Sequence, residues 1–219
     1  MRSRPFAIGR TERPDDAERR RLRMVERQLR ARGITDACVL AAMGAIPRER
    51  FVPAEQRSKA YRDRALAIAE DQTISQPWIV AAMAQLLSLD GHERVLEVGT
   101  GSGYGAAVLS RCAHEVVTIE RHPALADVAR EVLSELGHAN VEVRAGDGTL
   151  GAPDRAPFDA IVVTATAQDS IPTALVDQLA PRAPLVAPLR RDGHEQLMRF
   201  RDGRAEAIAP VRFVPLVSD

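Results

Sequence analysis

Cysteine is scarce in this chain: Cys38 and Cys112 are the only two in 219 residues, and neither stands at a metal-ligand spacing from a histidine. Two thiols cannot build the disulfide framework of a small secreted fold. Cys112 follows Val108 and Leu109 in a helical pattern and reads as a small buried hydrophobe. Net charge is missing too, since 30 Lys and Arg offset 30 Asp and Glu. There is no overall basic field to attract nucleic acid and no acidic excess. No apolar run approaches the roughly 20 residues that span a bilayer. The opening MRSRPFAIGR is basic but lacks the apolar stretch of a secretory signal. Internal repeats and low-complexity tracts are absent. These absences set the expectation of a cytoplasmic monomer with no metal, no membrane and no nucleic acid among its partners.

The composition is 45% hydrophobic and 27% charged, which is that of a globular protein with one well-packed domain. Residues 1–18 are polar and without period, and read as a frayed arm. Over 18–32 a helix is expected, with Leu22, Val25 and Leu29 on one stripe and Gly33 as its stop. Arg20, Arg21, Arg23, Arg27 and Arg30 cover its other faces. Such a helix can touch a membrane or nucleic acid, but a solvated face on a packed helix is the plainer reading. A second helix is expected over 36–43, then an irregular stretch over 47–77 punctuated by Pro47, Pro53 and Pro77. Connections of that length are usually functional.

After Pro77 the pattern changes. Ile79, Val80, Met83, Leu86 and Leu87 form a helical stripe. From residue 94 onward, strands are expected at 94–98, 115–119, 141–144, 158–164, 184–189 and 195–201, with a last one within 205–216. Helices at 104–112, 123–136 and 172–179 lie between them. The alternation predicts an α/β fold, a Rossmann-like doubly wound sheet that is mostly parallel, with an antiparallel edge where the helices stop. The expected division is an N-terminal helical arm and substrate segment over 1–77, and a cofactor-binding core over 78–219.

The chemistry concentrates at the end of the first core strand, Glu97-Val98-Gly99-Thr100-Gly101-Ser102-Gly103-Tyr104. A strand, a glycine-rich turn and a helix N-terminus in succession let backbone N–H groups approach a ligand. The loop alone leaves a nicotinamide dinucleotide open, because Gly101 to Ala106 satisfies the G-x-G-x-x-A variant. Glu120 ends the next strand, where a carboxylate can accept ribose hydroxyls. Asp147 precedes Gly148 at the end of the third strand, where an acid can accept from an adenine amino group. Acids at three strand ends, with no basic residue inside the loop, suit a cationic sulfonium better than a pyrophosphate. Each acid also has a plainer reading: Glu97 can bond the backbone of its own turn, Asp147 can form the Asp-Gly turn, and Glu120 can be a solvated strand end.

Upstream, Arg48-Glu49-Arg50-Phe51-Val52-Pro53 and Glu70-Asp71-Gln72-Thr73-Ile74-Ser75-Gln76-Pro77 join this loop in a specific combination. With Gly146-Asp147-Gly148, Phe158-Asp159-Ala160-Ile161 and Val211-Arg212-Phe213-Val214-Pro215-Leu216, the sequence resembles the protein-L-isoaspartate (D-aspartate) O-methyltransferases over residues 25–216. The resemblance implies the methyltransferase sheet, S-adenosyl-L-methionine as donor, and isoaspartyl-containing proteins and peptides as acceptors, with D-aspartyl residues a second candidate. It implies that Ser75 is the active-site residue and that Glu97, Gly99, Thr100, Gly101, Ser102, Gly103, Glu120, Asp147 and Gly148 hold the cofactor. Thr73, Ile74, Ser75 and Gln76 with Val211, Arg212 and Phe213 then hold the substrate.

Without the resemblance, Ser75 reads as the N-cap of the helix that Pro77 opens. The sequence departs from the family pattern at Asp71, at Gln168 and Asp169, and at Pro181-Arg182-Ala183, where a Pro-Gly-Gly turn is usual. Two other readings stay open: a carboxyl methyltransferase dedicated to one partner, and a non-catalytic cofactor-binding module recruited through the arginine-rich helix.

Overall fold

Apolar runs of about five residues alternating with helical stripes can all be buried only if helices cover both faces of a parallel sheet. The computed structural model describes residues 14–218, with α1 (Pro14–Met24), α2 (Ala37–Ala45), β1 (Leu66–Ala67), β2 (Thr73–Ile74), α3 (Pro77–Leu87), β3 (Arg94–Val98), α4 (Tyr104–Ser110) and β4 (Glu115–Glu120) in its first half. Then follow α5 (Pro123–Glu135), β5 (Val141–Ala145), β6 (Ala160–Val163), β7 (Ala167–Gln168), α6 (Thr173–Val176), β8 (Leu185–Arg191), β9 (His194–Arg201) and β10 (Arg204–Pro210). The main sheet has the order β10-β9-β8-β6-β3-β4-β5, with β7 beside β8. Strands β5, β4, β3, β6 and β8 are parallel, and β9 and β10 form the expected antiparallel edge. Because β4 lies on one side of β3 and β6 on the other, the strand order reverses at the carboxyl end of β3, the usual ligand crevice of such sheets.

Period-two alternation divides the core. Val95, Val116, Ala160 and Val162 pack with Ala81, Met83, Ala106 and Leu109 on one face. Leu96, Val98, Val117, Ile161 and Leu175 pack on the other. Met24, Leu29, Ile34, Leu40 and Met43 join the first of these clusters, so the N-terminal helices are seated on the sheet side that carries α3 and α4.

Several sequence expectations are corrected in this segment. Helix α1 begins at Pro14 rather than at 18, and the rest of the expected arm, 1–13, lies outside the described residues. A π-helical turn over Val25–Leu29 and a 3-10 turn over Arg30–Arg32 lead to Gly33, left-handed at φ +88°. The extra residue per turn rotates the apolar face, so Met24 joins Val25 and Leu29 in the core while Leu22 is exposed. Two of the arginines turn inward: Arg21 Nε donates to Gly44 O at 2.9 Å and an Arg20 nitrogen to Ser58 O at 3.1 Å. Asp36 caps α2 by accepting from Val39 N at 2.9 Å, and the helix runs through Gly44 to Ala45.

Cys112 is buried as expected, but it is bonded to Cys38, with Cα atoms 5.7 Å apart. The sequence could not reveal this, because packing of α2 against α4 brings together residues 74 positions apart.

The stretch 47–77 is not irregular. It forms 3-10 turns at Arg48–Phe51 and Ala54–Lys59 and then the β1–β2 hairpin. Glu70 and Asp71 sit at its tip with φ of +56° and +54°, and Gln72 N donates to Ala69 O at 3.1 Å. This is the geometry of a two-residue hairpin turn with both central residues left-handed, which usually selects Asn-Gly. Helix α6 is a single turn rather than the expected 172–179. No helix among the described residues is long and apolar enough to cross a membrane.

At the Pro181-Arg182-Ala183 turn, Arg182 alone has a left-handed φ, +68°. A non-glycine residue there costs about 1–2 kcal/mol, partly offset in a glycine variant by greater freedom of the unfolded chain. The exposed Arg182–Asp202 ion pair at 3.2 Å contributes little. Arg182→Gly is therefore expected to stabilise the protein by about 0.5–1 kcal/mol, read as a higher urea midpoint at unchanged m-value.

Candidate active site

Strand β3 leaves the sheet through a tight turn. Gly99 N and Thr100 N both donate to Ile119 O, at 2.8 and 3.2 Å, which ties the turn to β4. Gly99 has φ +95°, and a Cβ there would lie 2.3 Å from Thr164 Oγ1, so glycine is required on both counts. That hydroxyl donates to Gly99 O at 2.7 Å, clamping the turn to the end of β6. Gly101 N then donates to Glu120 Oε2 at 2.8 Å, while Glu120 Oε1 accepts from His122 N at 3.1 Å. Glu120 is buried and oriented, not a solvated strand end.

Glu97 faces the α3/α4 side of the sheet, in register with Thr118. Thr118 Oγ1 donates to Glu97 Oε2 at 2.7 Å. The Thr100 and Thr118 hydroxyls are 2.7 Å apart, so with its proton given to Glu97, Thr118 accepts from Thr100. The other Glu97 oxygen lies 2.2 Å from where a Cβ on Gly105 would stand, so only glycine at 105 leaves it room. Glu97 does not bond the backbone of its own turn. Burial pushes its carboxyl from 4.5 up to about 8, the Thr118 bond opposes this, and the nearby Glu120 charge adds to it. The Glu97 carboxyl is therefore much harder to ionise than a free one.

These groups line a cleft of about 860 Å³, part of it open to solvent. Of the residues expected to hold a cofactor, Glu97, Gly99, Thr100, Gly101, Ser102, Glu120 and Gly148 line it. Gly103 does not; it stands against Ala129 and Leu133 of α5. Asp147 does not either: its Oδ1 accepts from Thr149 N at 2.8 Å and Thr149 Oγ1 at 2.7 Å, capping the short turn that carries Gly148. Asp147 thus forms the turn that its Asp-Gly pair suggested. Arg121 and His122 also line the cleft. Its charge is less one-sided than the three strand-end acids imply, because two basic side chains follow Glu120 directly.

Thr73, Ile74 and Ser75 form one wall of this cleft. Gln76, not Ser75, is the N-cap of α3, and its side chain donates to Asp63 Oδ1 at 2.8 Å. The Ser75 hydroxyl has no hydrogen-bond partner among the described residues, so it is not a helix cap. Ser75 and Glu97 share the lining of a smaller pocket of about 330 Å³ behind the cleft. On its other side Ser75 opens, with Thr73 and Gln76, onto a second groove lined by Val211, Arg212 and Phe213. Val214, Pro215 and Leu216 return to the first cleft. Ser75 thus stands where the two spaces meet.

What fixes the tail has no local signal in the chain. Glu195 Oε1 accepts from Phe213 N at 2.6 Å, and Val211 N donates to Glu195 O at 3.1 Å. Arg190 binds the other carboxylate oxygen at 2.9 Å. Thr166 adds backbone bonds to Val214 and Leu216, each 2.8 Å.

Glu97 supplies a pH test. Its folded-state pKa is raised, so its favourable contribution is complete below 4.5 and is lost as pH rises towards 8. Glu97→Gln removes this titration. The stability of the variant relative to wild type is expected to increase between pH 5 and 8 and then level off, measured by thermal melts of both ligand-free proteins in matched buffers. A pH-independent difference would contradict the raised carboxyl.

The protein-L-isoaspartate(D-aspartate) O-methyltransferase family model matches residues 19–219. A relative from Anaeromyxobacter sp. (strain Fw109-5), protein-L-isoaspartate O-methyltransferase 2, is 54% identical over 204 residues, covering 91% of this chain and 84% of its own. A solved protein-L-isoaspartate O-methyltransferase superposes with a TM-score of 0.80 at 29% identity; the match covers 89% of this chain and 65% of that one. A solved Plasmodium falciparum protein, described as a putative protein-L-isoaspartate O-methyltransferase in complex with S-adenosyl-L-homocysteine, superposes with a TM-score of 0.76. At 24% identity over 91% of this chain and 99% of its own, it shows the shared fold. A match to the family model over nearly the whole chain and majority identity to a full-length relative place this chain in the protein-L-isoaspartate(D-aspartate) O-methyltransferase family.

Proposed function

We propose that this protein transfers a methyl group from S-adenosylmethionine to the free carboxylate of L-isoaspartyl residues in damaged proteins and peptides. The observation that carries the reading is the placement of Ser75: an uncommitted hydroxyl on the wall shared by the glycine-loop cleft and the groove along Val211, Arg212 and Phe213. The segment up to residue 77 together with the tail holds the acceptor, and the core from residue 78 holds the donor.

The residues present fit the donor. Each Glu120 oxygen accepts one backbone N–H and keeps a lone pair for a ribose hydroxyl. Glu97, hard to ionise when alone, is stabilised as a carboxylate by an approaching ammonium or sulfonium charge, which favours a cationic ligand at the inner wall. Gly148 forms part of the wall, and Asp147 serves it through the turn it caps. When bound, S-adenosylmethionine supplies a methyl group on a positively charged sulfur.

The acceptor needs no general base. A carboxylate with an ordinary pKa of about 4 is already ionised at pH 7 and can attack the methyl carbon directly. What the chain supplies is alignment and exclusion of water. Ser75 donates a hydrogen bond that holds the carboxylate, and its neighbours Thr73 and Gln76 face the tail across the peptide groove, while Ile74 is buried and reaches only the donor cleft. No histidine or acid among the described residues partners Ser75, so it is not a nucleophile. The resulting methyl ester is open to attack by the adjacent backbone amide nitrogen. It closes to a succinimide, which hydrolyses in part to a normal aspartyl linkage.

Gln168 and Asp169, whose departure from the family pattern suggested a single dedicated partner, are exposed and line neither groove. Broad use of isoaspartyl peptides is the better-supported reading.

Labelled S-adenosylmethionine with one peptide in isoaspartyl and aspartyl forms tests it by counting base-labile methyl ester. Transfer to the isoaspartyl form alone is expected, and transfer to neither would refute the reading. Loss of one hydrogen bond to a charged group costs about 1.5–3 kcal/mol. Ser75→Ala should therefore lower kcat about 10- to 100-fold while calorimetric affinity for the cofactor stays within about twofold of wild type.

A further inference from the structure

Among the described residues, Arg48 is the largest side chain that is wholly buried, with 0% exposure, and no carboxylate among them is bonded to it. Its Nε donates to Ala60 O at 2.8 Å and one terminal nitrogen donates to Ser75 O at 2.7 Å. The other terminal nitrogen is buried without a partner. The guanidinium lies over the Tyr104 ring, 4.7 Å from its centroid. Burial lowers its pKa to about 10, which leaves it protonated at neutral pH.

A buried cation without a counter-ion is an expensive way to fill space, and an apolar side chain of similar volume is often as stable or more so. What an apolar residue cannot do is join the three parts that meet here. Ala60 closes the 3-10 turn that leads to the hairpin. Ser75 ends the β2 wall. Tyr104 begins α4 directly below the glycine loop, edge-on to Phe51 at 5.4 Å, with its hydroxyl donating to Met43 Sδ at 3.3 Å. The Ser75 hydroxyl has no partner among the described residues, so its direction is set by its backbone. The element that grips that backbone is the Arg48 guanidinium.

We infer that Arg48 is a positioning residue for methyl transfer: by clamping the Ser75 carbonyl and stacking on Tyr104, it fixes the acceptor wall against the helix that opens at the donor loop. The inference rests on the reading of Ser75 as the group that holds the acceptor carboxylate. Arg48 touches neither ligand. Its removal should misalign the attacking oxygen while leaving the donor pocket intact, and small misplacements of this kind cost about 100-fold in rate.

The test compares wild type, Arg48→Met and Arg48→Lys in three measurements: melting temperature, calorimetric affinity for S-adenosylhomocysteine, and kcat and KM with an isoaspartyl peptide. Arg48→Met is expected to remain folded and to bind S-adenosylhomocysteine within about threefold of wild type, while kcat falls about 100-fold. Arg48→Lys keeps the charge but cannot bridge both carbonyls, and should fall between the two. An inactive wild type would remove the reading of the site itself. An active wild type with a folded Arg48→Met variant of equal kcat would overturn the role of Arg48 and leave that reading standing. Parallel loss of S-adenosylhomocysteine affinity and turnover, or failure of both variants to fold, would also overturn it, by showing that Arg48 supports the fold at large.

Discussion

The molecule is organised around the space left at the end of β3. Gly99 has to turn with a left-handed φ while the Thr164 hydroxyl presses against the position a side chain would occupy. The same hydroxyl, with two amides directed at Ile119 O, locks the ends of β3, β4 and β6 together. The glycine loop and the carboxyls beside it inherit their place from this junction. Glu97 is the last inward residue before it, Glu120 reaches back to it from β4, and α4 starts as soon as the loop is closed. A looser turn would leave the sheet intact and dissolve the site.

Around that junction the protein places two carboxyls in unlike surroundings. Glu120 accepts backbone N–H groups on both oxygens. Glu97 has only a threonine hydroxyl and sits in the apolar layer beneath Gly105. Burial with a single hydroxyl partner is what raises the Glu97 carboxyl above its ordinary pKa. The acceptor side is assembled differently, from backbone carbonyls and amides held by buried side chains. Arg48 grips Ser75, while Glu195 and Thr166 grip the tail.

The sheet and the donor loop were legible because their signals are local. Apolar runs mark the strands, glycines mark the turn, and β3 begins and ends where the pattern predicted. Among the acids, position along the chain pointed to Glu97, Glu120 and Asp147, and the Asp-Gly pair already offered the turn that Asp147 forms with Thr149. The rest depended on pairings of distant residues. The Cys38–Cys112 bond spans 74 positions, Arg48 meets Ser75 across 27, and Glu195 meets Phe213 across 18. The π turn in the first helix was hidden because a single extra residue shifts the buried face without changing composition. The β1–β2 hairpin was hidden for the opposite reason: its tip carries Glu70-Asp71 where turn chemistry favours Asn-Gly.

That tip has a consequence for how the molecule moves. Two adjacent left-handed residues without glycine each cost about 1–2 kcal/mol, and strands of two residues offer few ladder bonds to offset it. The hairpin therefore sits low on the protein's scale of local stability, where segments open and close while the rest of the fold stays closed. Its amide protons will exchange with solvent by this local opening, well ahead of those in β3 and β4. Ser75 follows the second hairpin strand directly, so the wall shared by the donor cleft and the peptide groove adjoins an element that opens readily, while the glycine loop rests on the central strands.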